Sequence, residues 1–163
     1  MIDRLNSIYA KTNFAGHPYA SLESATLIGK QLKASQEKGN TDFNLLLKYA
    51  IESMNAGKTS DALNVFNYVN AQLPQFQKVN EQSILFYKLW AISWMRKGEE
   101  ENCIANHSEE SCVFPIRGKG IHVKKEGSRN AIKLYQQILE KYPNDMESRW
   151  LINIAYMLSL IHI

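Results

Sequence analysis

Apolar residues recur at helical spacing along almost the whole chain, and the pattern lapses in one long stretch. From Phe43, the segment FNLLLKYAIESMNAGKTSDALNVFNYVNAQLP reads as helix, tight turn, helix and terminating proline. Ala50 is the small residue of the first helix, and Gly57 is the turn glycine. Ala62 is the small residue of the second helix, Phe66 and Val69 follow it, and Pro74 closes the unit. The small residues let two helices approach closely, while Phe66 and Val69 face a neighbouring pair.

The unit returns. The segment NEQSILFYKLWAISWMRKG places Ala91, Trp94 and Gly98 at the small, aromatic and turn-glycine positions, with Trp90 and Trp94 one turn apart as core residues. Its second helix comes late, in SRNAIKLYQQILEKYP, where Ala131, Tyr135, Ile138 and Pro143 repeat the spacing of Ala62, Phe66, Val69 and Pro74. Gly57 precedes Ala62 by five positions and Gly98 precedes Ala131 by thirty-three, an insertion of about 28 residues. A third unit opens with NDMESRWLINIAYM, capped by Asp145, with Trp150, Ile154 and Tyr156 on the pattern. A period of about 34 residues with a small residue in each helix is the tetratricopeptide pattern.

Upstream, Ile2 to Lys11 reads as a short helix with Leu5, Ile8 and Tyr9 on one face, broken by Asn13, Gly16 and Pro18. Ser21 to about Lys38 carries Leu22, Ala25, Ile28 and Leu32 at helical spacing; Gly39-Asn40 closes it, and Thr41 or Asp42 caps the next helix. The expected fold is all-α: a tetratricopeptide-like antiparallel helix-pair solenoid with one long irregular insert inside the second repeat. Its parts are N-terminal helices over 1–42, repeat one over 43–76, and repeat two over 77–143 with the insert at 99–128. The first helix of a third repeat follows over 144–157. The final LSLIHI, 158–163, resembles a translated sequencing adapter, so it is expected to be non-native and the native chain to continue.

Composition narrows the function classes. With 163 residues, 45% hydrophobic and 21% charged, the chain has the make-up of one globular domain that buries a core. Nineteen basic against 16 acidic residues give +3, too mild a balance to indicate nucleic acid. No apolar run approaches the roughly 18 residues of a membrane helix. The opening MIDRLNSIYAKTN lacks a leader pattern, so the chain is expected either to stay unexported or to begin upstream of this Met.

The chemistry-bearing residues gather in the insert. Cys103, His107, Cys112 and His122 read C-x3-H-x4-C-x9-H. Two thiolates and two imidazoles suit tetrahedral zinc or another soft metal, although the spacing matches no standard finger. A bridge between the cysteines would stiffen a segment with little core of its own, and buried thiols are the third reading. No cofactor is predicted beyond that metal alternative, and no nucleophile pair with an orienting third group is visible. Glu99, Glu100, Glu101, Glu109 and Glu110 make the first half of the insert acidic; Arg117, Lys119, Lys124, Lys125 and Arg129 make the second half basic, so the halves either fold against each other or form a solvated loop whose charges happen to segregate, where surface pairs contribute little. In RGKGIHVKK the glycines would let backbone amides approach an anion, which makes Arg117, Lys119, Lys124 and Lys125 anion-binding candidates.

The pattern Asn102, His107, Ser111, Cys112, Pro115, Gly118 and His122, followed by Arg149, Trp150, Leu151, Asn153, Ala155, Tyr156 and Met157, resembles a known family. It is similar to the tetratricopeptide segment of bacterial FG-GAP repeat proteins of the cartilage acidic protein-like, ASPIC/UnbV-associated group. The resemblance implies a multidomain protein, periplasmic or extracellular, with a C-terminal β-propeller, and it favours a Cys103–Cys112 disulfide. Together these readings give an interaction scaffold that takes a protein or peptide on its concave face, more expected than an enzyme. A Cys/His metal or redox site is the alternative; nucleic acid is not an expected partner.

Overall fold

The computed structural model describes residues 1–12, 19–104, 108–111 and 113–160. Among them the helices are α1 (Ile2–Lys11), α2 (Ser21–Glu37), α3 (Phe43–Asn55), α4 (Thr59–Gln72), α5 (Ile84–Cys103), α6 (Glu126–Lys141) and α7 (Met146–Ser159). Three single 3₁₀ turns, at Pro74–Phe76, Glu109–Ser111 and Gly118–Gly120, complete the regular structure, and the described residues contain no strand. The chain is all-α, as the spacing predicts. No described helix is long and apolar enough to cross a membrane. Two compact units divide the chain, Met1–Lys58 and Thr59–Ile163.

In the first unit α2 packs on α3. Ala25, Ile28 and Leu32 of α2 are buried, as are Leu46, Ala50 and Met54 of α3, each set at three- or four-residue spacing. The Asp42 carboxylate accepts from the amides of Asn44 and Leu45 at 3.0 and 3.1 Å and so caps α3. After α3 the chain turns through Gly57 at φ +75°, and the Lys58 amide returns to the Ser53 carbonyl at 2.8 Å.

In the second unit α5 packs against α4 and α6, and α6 against α7. Ala62, Phe66, Val69, Ala91, Ala131, Tyr135, Ile138 and Ala155 are all fully buried, at 0% exposure. Phe66 of α4 meets Phe86 of α5 edge-on at 5.4 Å. Thr59, at the start of α4, donates its hydroxyl to Glu100 near the end of α5. The first turn of α6 in turn meets the C-terminal half of α5, through Gly127 and Gly98. Lys88, near the start of α5, pairs with Asp145 and Glu147 at the start of α7 at 2.7 and 2.8 Å. Successive helices therefore run antiparallel.

Gly98 does not turn the chain: α5 continues through it for five more residues to Cys103, past the boundary expected at 99, and α6 begins at Glu126. The reason is packing. A Cβ on Gly98 would lie 3.1 Å from the His122 ring, and one on Gly127 would lie 2.6 Å from the Gly98 nitrogen. The missing side chain is needed for a close approach of two backbones, not for a left-handed conformation. The acidic run Glu99–Glu101 is consequently helical, and Glu101 pairs with Lys97 one turn back at 3.4 Å.

Candidate binding site on the inserted segment

Asn102 anchors the segment to the scaffold. It lies one turn beyond Gly98, is 8% exposed, and its Nδ2 donates to the Gly98 carbonyl at 2.7 Å and to the Lys124 carbonyl at 2.9 Å. Its Oδ1 accepts from the Lys124 amide at 2.8 Å. One side-chain amide thus satisfies both backbone groups of Lys124 and fixes the exit of the segment to the end of α5.

Within the segment, Glu110 folds onto the glycine turn. Its Oε2 accepts from the Lys119 amide at 2.8 Å, and the carboxylate lies over Gly118, whose φ is +55°. Gly120 is buried against the Glu110 backbone, where a Cβ would come within 2.8 Å of its carbonyl carbon. Glu110 thus meets the Lys119 backbone, and its own carboxylate lies over the glycine turn.

His122 lies against the middle of α5, and Cys103 at its end. The His122 ring is 3% exposed and packs on Gly98; its amide donates to the Leu158 carbonyl at 2.9 Å. Leu158, read from sequence as the start of a non-native tail, is a buried residue of α7. The Nδ1 of His122 is buried without a partner among the described residues, and burial pushes the imidazole below its ordinary value, which favours the neutral ring. Cys103, the half-buried last residue of α5, lies five positions beyond Gly98, about 7.5 Å along the axis and about 140° around it. His107 and Cys112 lie outside the described residues, so the four-residue set is described only in part. No group of three potential metal-holding side chains occurs among the described residues.

Of the anion candidates, Arg117, Lys119 and Lys124 are exposed and Lys125 is half-buried as the residue preceding α6. Arg117 makes no ion pair among the described residues. The Lys124 backbone is committed to Asn102.

The tip of the segment carries exposed apolar side chains that no motif marks. Val113 and Phe114 are 63% and 52% exposed, followed by Pro115 in a cis peptide. Phe114 meets Trp150 of α7, itself 60% exposed, with ring centroids 5.9 Å apart. Glu110, Val113, Phe114, Pro115 and Arg117 line a cleft of about 220 Å³. The signal in the sequence was the apolar run Val113-Phe114-Pro115-Ile116 inside an otherwise polar stretch. No family model, no curated protein and no solved structure matches the chain.

Proposed function

We propose that this chain is a protein-interaction module, a tetratricopeptide-like stack of helix pairs within a larger exported protein, and that its inserted segment is the binding platform. One observation carries the reading. A segment tied to the helices at Asn102 and His122, and braced within itself by Glu110, nevertheless holds Val113 and Phe114 in solvent beside the exposed Trp150 of α7. Large apolar side chains fixed in water are characteristic of binding surfaces, and aromatic residues are enriched in them. The repeat reading draws support from the paired burial of Ala62, Phe66 and Val69 with Ala131, Tyr135 and Ile138, two identical spacings in helices that each pack on α5.

Peptide display on the immobilised full chain tests the proposal. Repeated selection enriches a common sequence that binds in solution if the reading is right. Failure to enrich any sequence would contradict it. The exported location and the Cys103–Cys112 bridge implied by the family resemblance belong to the same proposal. Intact mass with and without reductant, after alkylation, separates a bridge from thiols.

A further inference from the structure

We infer that the cleft at the tip of the inserted segment takes an acidic peptide, with one apolar side chain against Phe114 and Pro115 and a neighbouring carboxylate on Arg117. The inference rests on the interaction-module reading and specifies its partner. Size comes first. About 220 Å³ is below the roughly 300 Å³ at which small-molecule sites begin, and it suits a single side chain of a longer ligand. Phe114 and Trp150 continue the apolar surface beyond the cleft, which gives an extended segment something to lie on.

Charge decides the partner's sign. The cleft contains one acid and one base. Glu110 accepts one hydrogen bond, from the Lys119 amide, and its carboxylate lies over Gly118, which commits it within the segment. Arg117 is exposed, and no described residue pairs with it. Lys124, exposed on the same segment, reinforces its sign. A basic peptide would meet like charge on approach. An acidic one gains a carboxylate–guanidinium contact, which two parallel hydrogen bonds strengthen and orient.

The test uses a random-peptide display selection on the full chain, followed by fluorescence anisotropy of the enriched peptide against the wild type, Phe114→Ser and Arg117→Glu. Both substituted positions are exposed, and unchanged melting confirms that the variants fold. The expected result is a motif pairing Leu or an aromatic residue with Asp or Glu. Its affinity falls about tenfold or more in each variant. The Arg117→Glu protein is expected to prefer the same peptide with its acid replaced by Lys. Enriched peptides that bind both variants as tightly as wild type would overturn the cleft while leaving the interaction module standing. Enrichment of basic or uncharged motifs would overturn the sign argument, and with it the inference. Self-association of the chain that Phe114→Ser abolishes would make a second copy the occupant and overturn it as well. Absence of any enrichment would remove both the inference and the reading beneath it.

Discussion

Gly127 lies directly on the backbone of Gly98: a Cβ at Gly127 would stand 2.6 Å from the Gly98 nitrogen and 2.7 Å from its Cα. The two glycines set the distance between α5 and α6. They are not equivalent, because what surrounds each is backbone in one case and a side chain in the other. Gly127→Ala forces rigid backbone apart and is expected to destabilise by about 2 kcal/mol or more. Gly98→Ala presses on the His122 ring at 3.1 Å and meets the Gly127 Cα at an ordinary 3.6 Å, and alanine's higher helix propensity offsets up to about 1 kcal/mol. Urea unfolding of the two variants should rank Gly127→Ala as clearly the worse.

Asn102 carries the attachment of the inserted segment. Asn102→Ala leaves the Lys124 amide and carbonyl without their partner, a loss of about 1–3 kcal/mol if water cannot reach them. Asn102→Asp is expected to be worse. It keeps the acceptor for the Lys124 amide but sets a carboxylate against the carbonyls of Gly98 and Lys124. Faster proteolytic cleavage between Ile104 and Lys124, at unchanged helix content by circular dichroism, would report release of the segment.

The neutral, buried His122 makes stability depend on pH with a definite sign. Its folded value lies below the ordinary 6.5, so the unfolded chain takes up a proton first as pH falls. Stability is then complete above about 6.5 and is lost progressively below it. His122→Gln should flatten this part of the profile, measured as the difference in unfolding midpoint between pH 7.5 and pH 5.

Lys88 ties the start of α5 to the start of α7, where Asp145 also accepts from the Ser148 amide at 2.9 Å. Burial pushes the Asp145 carboxyl up, and the hydrogen bonds from Lys88 and Ser148 outweigh it, holding it below its usual 3.8. Its contribution is present above that value and is lost as pH falls through the lower folded value. Lys88→Met should reduce stability by about 1 kcal/mol and Asp145→Ala, which also removes the helix cap, by about 2 kcal/mol. The acid limb of the unfolding profile should be shallower in Asp145→Ala than in the wild type.

These residues also show what the sequence makes legible. Ala62, Phe66 and Val69, like Ala131, Tyr135 and Ile138, are spaced by a local rule, since helical periodicity alone puts them on one face. The capping roles of Asp42 and Asp145 are local for the same reason. A glycine needed for a turn and a glycine needed for a close approach look identical in one dimension, so spacing alone assigns Gly98 to a turn that the structure does not make. The second cause is a contact with Gly127, twenty-nine positions away. The hold of Asn102 on Lys124 is equally non-local, and so is the meeting of Phe114 with Trp150. Candidate ligands could be gathered from the sequence, but where Cys103 lies relative to His122 depends on how far α5 runs, and that is a packing result.

The central claim is that α5 runs through Gly98 to Cys103 and that the segment after it is pinned onto the scaffold. Residue-resolved amide hydrogen exchange tests it most directly. The account predicts helical protection continuing from Gly98 through Asn102, followed by slow exchange at Lys119, His122 and Lys124, the amides held by Glu110, Leu158 and Asn102. Rapid exchange at every amide from Glu99 to Lys125 would contradict it.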